Sequence, residues 1–576
     1  MEKREWGYIL LLAVLCTAVY ANTFRNEFVF DDIALIIKNF EIRSFSNIPD
    51  FFTTPAHAGL YRPVRSVLYA VVFRIWGLNV FGYHLNSLIF HILNTVVVYF
   101  LANALLEKRR IALVAAIIFA VHPVHTERVT NMTAGFDQFG VLMYLLSFYL
   151  YILYSKTRNE VAHPQGFSKY YIVFSVIAFT VGILASEELV TLPVILLLYD
   201  FTFNKMKIKS KIKYYIPFIL IGVVFFIIRF DVLGRFGRPT DYYTGSLYTN
   251  IITTLPIILK YFRLLVLPTN LSLIYEPPFY ESISEPIVFI PLFAIFFILY
   301  LSIKSKSKIV FFSVFFFFIT LLPFLNLVPL FTLMAERYLY VPSVSFCILA
   351  ALLFNKTLKI KNFKAVSIVI LIVILLSFSY LTIKRNSEWR DSVTLFTRTV
   401  ETAPDSSKAH DSLGFSYQTE KRYEEALQEY EIAINLDPNN YFTHSNLGTA
   451  YAELGEYELA IPELQTSVLI APYYYKGWNN LGLAYYRIGE YEEAEESLLR
   501  AVALHPEFSK AHNDLGTVYG KMGEYGAAIQ QFQSAIKIYP GYKDAHYNLG
   551  IVYSRIGKDD LAQQEFRIAE KLPSDA

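Results

Sequence analysis

The residues best suited to chemistry are charged side chains set in apolar surroundings. Asp31 and Asp32 stand side by side in FVFDDIALI. Neighbouring carboxylates raise each other's pKa, so the two differ in role, and one is fitted to accept a proton. His122, His125 and Glu127 lie in HPVHTERV. That spacing puts His122 and His125 on one side of a helical turn, where a divalent metal could sit. Pro123 argues instead for a helix end, which favours a hydrogen-bonded network that orients the acid pair or an acceptor. Glu187 and Glu188 form a third cluster, and Glu336 with Arg337, in AERYLYVPS, a fourth. Ionisable groups at membrane depth are expensive and normally face a cavity or a partner. Four such clusters at one level imply a single polar site.

The elements that must position these groups are membrane helices. Of the 576 residues, 55% are hydrophobic, including 49 Phe and 43 Tyr. This excludes a disordered chain and a soluble enzyme and favours an integral membrane protein. Apolar runs of about spanning length recur up to residue 383. Two stretches are ambiguous: 63–78 carries Arg65 and Arg74, and 248–268 carries Lys260 and Arg263. Basic connectors at 1–5, 107–110, 155–159, 204–213, 304–308 and 355–364 fall on one side only if both stretches fail to cross. Lys and Arg concentrate in cytoplasmic loops. The expectation is therefore about 11 spans with the N-terminus inside, and 63–78 and 248–268 lying along the outer surface. The four clusters and everything beyond Arg385 then lie outside the cytoplasm.

From Lys384 onward there are 18 Lys or Arg against 29 Asp or Glu, a net of −11; the preceding part is +13. This acidic part repeats every 34 residues. Leu-Gly recurs at Leu413-Gly414, Leu447-Gly448, Leu481-Gly482, Leu515-Gly516 and Leu549-Gly550, and Pro404, Pro438, Pro472, Pro506 and Pro540 keep the same period. The pattern is that of the tetratricopeptide repeat, two helices per 34 residues, whose stacked concave face suits extended peptide. One column, Ser412, Asn446, Asn480, Asp514 and Asn548, could hydrogen-bond a peptide backbone, or could hold adjacent helices together. Cys16 and Cys347 are the only cysteines, too few for a disulfide framework or a cysteine zinc site. No Walker A loop, GxGxxG, HExxH or GxSxG occurs, which leaves nucleotide-driven transport and protease chemistry without support. The basic loops are membrane flanks, not a nucleic-acid patch.

Read in order, FVFDDIALI, YRPVRSVLYAVVF, HPVHTERV, YFRLLVLPTNLS, LPFLNLVPL, AERYLYVPS and EWRDSVTLF resemble the transmembrane and tetratricopeptide-repeat (TMTC-type) O-mannosyltransferases and their bacterial relatives. The resemblance implies an all-α chain. Its first part, 1–383, is a polytopic GT-C fold; 384–404 is a linker helix; 405–574 is a five-repeat solenoid. It further implies transfer of a mannose-like hexose from a polyprenyl-phosphate carrier to Ser or Thr of secreted protein, by one inverting displacement. Asp31 or Asp32 is then the base, with His125 and Glu127 beside it. Arg62, Arg337 and Arg390 become candidates for the carrier phosphate, because Arg keeps its charge and offers a fixed fork of donors. The stretch 248–268 with the following LSLIYEPPF is expected to groove the lipid tail. Asn446, Asn480, Asp514 and Asn548 are expected to meet the acceptor. A divalent metal on His122 and His125 is the one cofactor expectation.

The chain departs from the family at Glu187-Glu188, where relatives have Lys-Glu, and in having few repeats. The composition leans prokaryotic, which puts the repeats in the periplasm; in a eukaryote they would face the endoplasmic reticulum lumen. The alternative readings are a non-enzymatic membrane scaffold and glycosylation of an envelope glycan.

Overall fold

A computed structural model describes residues 3–56, 59–159, 165–204, 212–234, 245–330, 332–360 and 362–572. Most of the basic connector 204–213, the stretch 235–244 and the end of the fifth repeat lie outside the described residues. The described residues are helical apart from turns, with no strand beyond the single bridge between Ala56 and Leu60. The chain divides into two compact units, Met1–Ala403 and Pro404–Ala576, so that 384–403 of the expected linker belongs to the first.

In the first unit, seven helices among the described residues are long and apolar enough to cross a membrane. They become eight if Arg109–Val121 and Pro123–Thr130, bent by 54°, count as one span. The expected count of 11 is not reached on this criterion. Lys169–Ala185, Lys308–Phe324 and Ser343–Thr357 are apolar but short, and Leu192–Phe203 has only 12 residues. The two ambiguous stretches behave differently. Pro63–Trp76 is a 14-residue helix, too short to cross; Pro63 in its first turn fits a helix start. Leu247–Val266, expected along the surface, has the length and apolarity of a span. Its inner stripe, including Ile257, Tyr261 and Leu265, is buried, and the Tyr261 hydroxyl accepts from the Ala335 N–H at 3.2 Å. Pro123 breaks the Arg109 helix as the sequence implies. His122 leaves the helical conformation there, and a short turn carries His125 into Thr126–Thr130.

The second unit is five pairs of antiparallel helices, from Ser407–Thr419 with Tyr423–Leu436 to Lys543–Arg555 with Asp559–Lys571. The repeated glycine sits where the paired helices touch. A Cβ on Gly448 would lie 2.7 Å from Leu464 Cγ, and one on Gly550 would lie 2.6 Å from a Phe566 ring carbon. The repeated alanines, such as Ala426 and Ala494, are fully buried on the facing helix. Small residues at both positions let the pair close up, and larger ones would force it apart.

Candidate functional site

A cavity of about 730 Å³ opens in the first unit and gathers charged residues from distant parts of the chain. Phe30 turns the chain into it. Its φ of +54° is unusual for a bulky residue. After that turn the two aspartates face opposite ways. Asp31 is exposed and lines the cavity. Asp32 is 0% exposed. Its Oδ1 accepts from the Thr133 N–H at 2.8 Å and its Oδ2 from the Val29 N–H at 3.2 Å. Thr133 is in the first turn of helix Met132–Asn159, so Asp32 meets unsatisfied amides at a helix N-terminus. Burial pushes the Asp32 carboxyl up to about 7, against the pull of those amides. Asp32 therefore anchors the loop, and Asp31 is the member of the pair that a ligand can reach.

Five arginines line the same cavity: Arg62, Arg65, Arg128, Arg229 and Arg337. Arg62 binds Glu187 through two nitrogens, at 2.7 and 3.1 Å, and reaches Asp137 at 3.1 Å. Arg65 reaches Asp137 at 3.2 Å, and Arg128 pairs with Glu188. Gln138 fixes Arg128 from behind, donating to its carbonyl at 3.0 Å. Burial alone would raise the Glu187 carboxyl; Arg62 beside it holds it below its ordinary value instead. Burial disfavours the charge of Arg62 less than Glu187 and Asp137 secure it, so its pKa rises well above normal. The lining acids are Asp31, Asp137, Glu187 and Glu188. Five cations line the cavity against four anions, and Glu127 behind Arg337 supplies a fifth, so the cluster is close to neutral and an entering anion would be held by the fixed donor forks of the arginines. Beyond this polar end the wall becomes apolar, with Phe226, Phe324, Leu327, Val328 and Leu330.

The remaining expected residues separate. Glu127 does not line the cavity; its carboxylate clamps Arg337, accepting from the guanidinium and, at 2.9 Å, from the backbone N–H. Arg337 pairs with Glu127 and not with its neighbour Glu336, which is fully buried and accepts from Tyr275 at 2.8 Å and from the Ser272 N–H at 2.7 Å. Arg390 lies outside the cavity, with its side chain 67% exposed and bound to Asp391 at 2.7 Å. The stretch 248–268 and the segment after it contribute no wall, and residues 322–330 take that place.

The metal expectation fails on geometry. His122 donates through Nε2 to the Leu265 carbonyl at 2.9 Å, and its Nδ1 accepts from the Val124 N–H at 3.3 Å. His125 donates through Nδ1 to the Phe119 carbonyl at 2.9 Å and meets Ser343 Oγ at 2.8 Å with Nε2. Both rings are fully buried and have both nitrogens engaged. Among the described residues no group of three or more His, Cys, Asp or Glu is set to hold an ion. Both histidines pin the bent helix to its neighbours.

Sequence reasoning did not place Arg65, Arg128, Arg229 or Asp137 in the site. Arg128 is 60 residues from its partner Glu188, and Arg65 is 72 from Asp137, so no spacing reveals them. A charge inside an apolar run, as with Asp137 in Met132–Asn159 and Arg229 in Ile212–Leu233, was the available signal.

In the second unit the polar column joins neighbouring repeats. Asn446 donates to Asp411 at 3.0 Å, Asn480 to Thr449 at 3.2 Å, and Asn548 to Asn513 at 3.0 Å. Asp514 is buried and accepts from Asn479 at 3.1 Å. These side chains are engaged within the protein.

Residues 57–229 match the family described as dolichyl-phosphate-mannose-protein mannosyltransferase, and tetratricopeptide-repeat families match within 414–576. Protein O-mannosyl-transferase F38B6.6 of Caenorhabditis elegans is 27% identical over 75% of this chain and 63% of its own length. Protein O-mannosyl-transferase TMTC3 of Homo sapiens is 24% identical over 75% of this chain and 51% of its own, and human TMTC1 is 25% identical over 75% and 55%. The chain spans between about half and two-thirds of the length of these relatives. In both parts, a region matching the mannosyltransferase family followed by tetratricopeptide repeats, this chain is similar to the TMTC-type protein O-mannosyl-transferases.

Proposed function

We propose that this protein transfers a mannose-like hexose from a polyprenyl-phosphate carrier to a Ser or Thr hydroxyl of an extracytoplasmic protein. The observation that carries the reading is one cavity holding a reachable carboxylate, Asp31, a set of buried arginines and an apolar arm. The acceptor oxygen attacks the anomeric carbon, and Asp31 takes its proton. The bond from that carbon to the phosphate oxygen breaks, and the electron pair leaves with the polyprenyl phosphate. One displacement inverts the anomeric centre. A carrier phosphodiester has one negative charge, which guanidinium donors of the lining meet with charge-assisted hydrogen bonds. Arg337 is the donor best placed for it, because Glu127 holds its guanidinium from behind and the charge of Asp31 adds to the field that keeps it protonated. The apolar arm at 322–330 suits the first isoprenes of the carrier. The repeats would hold the acceptor polypeptide.

The test is turnover of detergent-purified protein with polyprenyl-phosphate hexoses and secreted-protein peptides, followed by mass spectrometry. Losing a general base costs about 10²–10⁴-fold, so Asp31→Asn is expected to fall by that much with peptide mass gain abolished. Wild-type activity with an unimpaired Asp31→Asn variant would remove Asp31 from the mechanism. No turnover with any donor would favour a membrane-anchored scaffold.

A further inference from the structure

The repeat unit separates its charge between its two layers of helices. In the third, fourth and fifth repeats the first helices are Tyr475–Ile488, Ser509–Met522 and Lys543–Arg555. They carry six Lys or Arg against two Asp, a net of +4. The second helices of the same repeats, Tyr491–Leu504, Tyr525–Ile538 and Asp559–Lys571, carry eight Asp or Glu against four Lys or Arg, a net of −4. The first helices of repeats one and two, Ser407–Thr419 and Tyr441–Leu454, have a net of −1. Summed over repeats three to five, net positive charge thus lies in the layer of first helices, within an otherwise acidic unit.

That layer is the inner one. Hydrogen bonds join successive first helices directly, as in Asn446 to Asp411 and Asn548 to Asn513, and none among the described residues joins successive second helices. Successive first helices pack against each other at every step, and successive second helices do not come as close. Stacking that is tighter on one side curves the array towards that side, so the first helices line the concave surface.

Three of the cations form a row on it. Arg487, Lys521 and Arg555 occur once per repeat, seven residues after Asn480, Asp514 and Asn548. Seven residues are nearly two turns, which keeps each cation on the face that carries the polar column. All three are exposed, and among the described residues none makes an ion pair or hydrogen bond. A cation in the last turn of a helix is favourable by itself. The same position in repeats one and two is Thr419 and Glu453, so the helix does not require one there.

We propose that the concave face of repeats three to five binds an extended acidic polypeptide, with carboxylates meeting Arg487, Lys521 and Arg555 in succession. Packed helices lie about 8–10 Å apart, and an extended chain advances about 3.3 Å per residue. The fitting ligand therefore has an Asp or Glu at about every third residue. The partly buried Leu483, Thr517 and Ile551, one turn before the cations, receive the side chains between them. The proposal relies on the function above only in calling this polypeptide an acceptor; the binding stands by itself.

The test measures binding without any sugar donor, by fluorescence anisotropy on the full-length protein in a non-ionic detergent. The probes are a 15-residue peptide with Glu at every third position, the same peptide with Gln there, and a single-stranded oligonucleotide. Exposed charge pairs contribute about 0.2–1 kcal/mol each, so the Glu peptide should bind about tenfold tighter than the Gln peptide. Added salt should shrink that advantage. The triple variant R487Q/K521Q/R555Q should erase it, and R500Q/R567Q on the outer layer should preserve it. Equal affinity for the two peptides, an advantage that survives in the triple variant, or equally tight oligonucleotide binding through the same row would overturn the proposal. Hexose transfer is assayed separately, so peptide binding without transfer would count against the enzymatic reading alone.

Discussion

Asp31 and Asp32 are adjacent in sequence, and after the left-handed turn at Phe30 one is exposed to the cavity and the other is buried. The sequence identifies the pair and not its division, because nothing in FVFDDIALI states which way each side chain points. The buried position of Asp32 has a pH consequence. Its folded pKa, about 7, lies above its unfolded value, so the folded state holds a proton that the unfolded state has lost. Stability contributed at this site therefore falls as pH rises from about 4 to about 7 and is level above that. Asp32→Asn removes the titration and also replaces one acceptor with a donor facing an amide. A buried unsatisfied group costs about 1–3 kcal/mol. Thermal melts should show a lower Tm at pH 5 and a flatter change from pH 5 to 7.5 than in wild type. A slope identical to wild type would mean that the carboxyl is already ionised in the fold. Glu127 gives a second residue-scale prediction. Glu127→Gln keeps the shape but removes the charge that orients Arg337, so KM for the carrier should rise several-fold more than kcat falls, measured in the turnover assay.

Among the elements, the helix pairs of the second unit were the most legible, because small residues at fixed intervals have only one packing meaning. The clamp linking each pair to the turn before it was not legible until the partners were seen. His410, His444 and His546 each place Nδ1 against a glutamate at 2.6 Å and donate through Nε2 to the carbonyl of the preceding Pro404, Pro438 or Pro540. Both neighbours of the His444 ring accept hydrogen bonds, so its protonated form satisfies the site best. The other repeats vary consistently. His512 faces Gln531, and Trp478 donates to the Pro472 carbonyl at 2.9 Å with Ser497 where the glutamate would stand. The hydrogen bond that His444 donates to Glu463 raises the His444 pKa. A raised pKa gives stability that is present below the unfolded value and lost as pH rises through the folded one. Melting of the repeat unit should therefore occur at lower temperature at pH 8 than at pH 6. His444→Trp keeps the bond to the Pro438 carbonyl and should reduce this dependence; circular dichroism of the variant at the two pH values measures it.

At the scale of the whole molecule, membrane sidedness decides whether the cavity and the repeats meet the same compartment. The sequence poses this as a parity problem, because six basic connectors share a side only if 248–268 does not cross. The structure sharpens it, since Leu247–Val266 has the length of a span. Its environment argues instead for one unbroken helix lying along the outer surface: near its start Asn250 donates to the Asn326 carbonyl at 2.6 Å, next to the cavity residues Leu327 and Val328. Half of the apolar stretch is buried in the unit, Lys260 lies over the Tyr275 ring 4.6 Å from its centre, and the chain after it supplies Ser272 and Tyr275 to Glu336. Glu336 neighbours the cavity residue Arg337, so with Asn250 at Asn326 both ends of the helix lie near the level of the cavity. With both native cysteines buried, sidedness can be read by labelling. In a C16S/C347S background, cysteines are introduced singly at Lys306, Ser284 and Arg500, all exposed, and intact cells are treated with a membrane-impermeant maleimide. Ser284→Cys and Arg500→Cys should label from outside, and Lys306→Cys only after the membrane is opened. Labelling of Lys306→Cys from outside would mean that Leu247–Val266 crosses, and that the positive connectors are divided between the two sides against the usual bias.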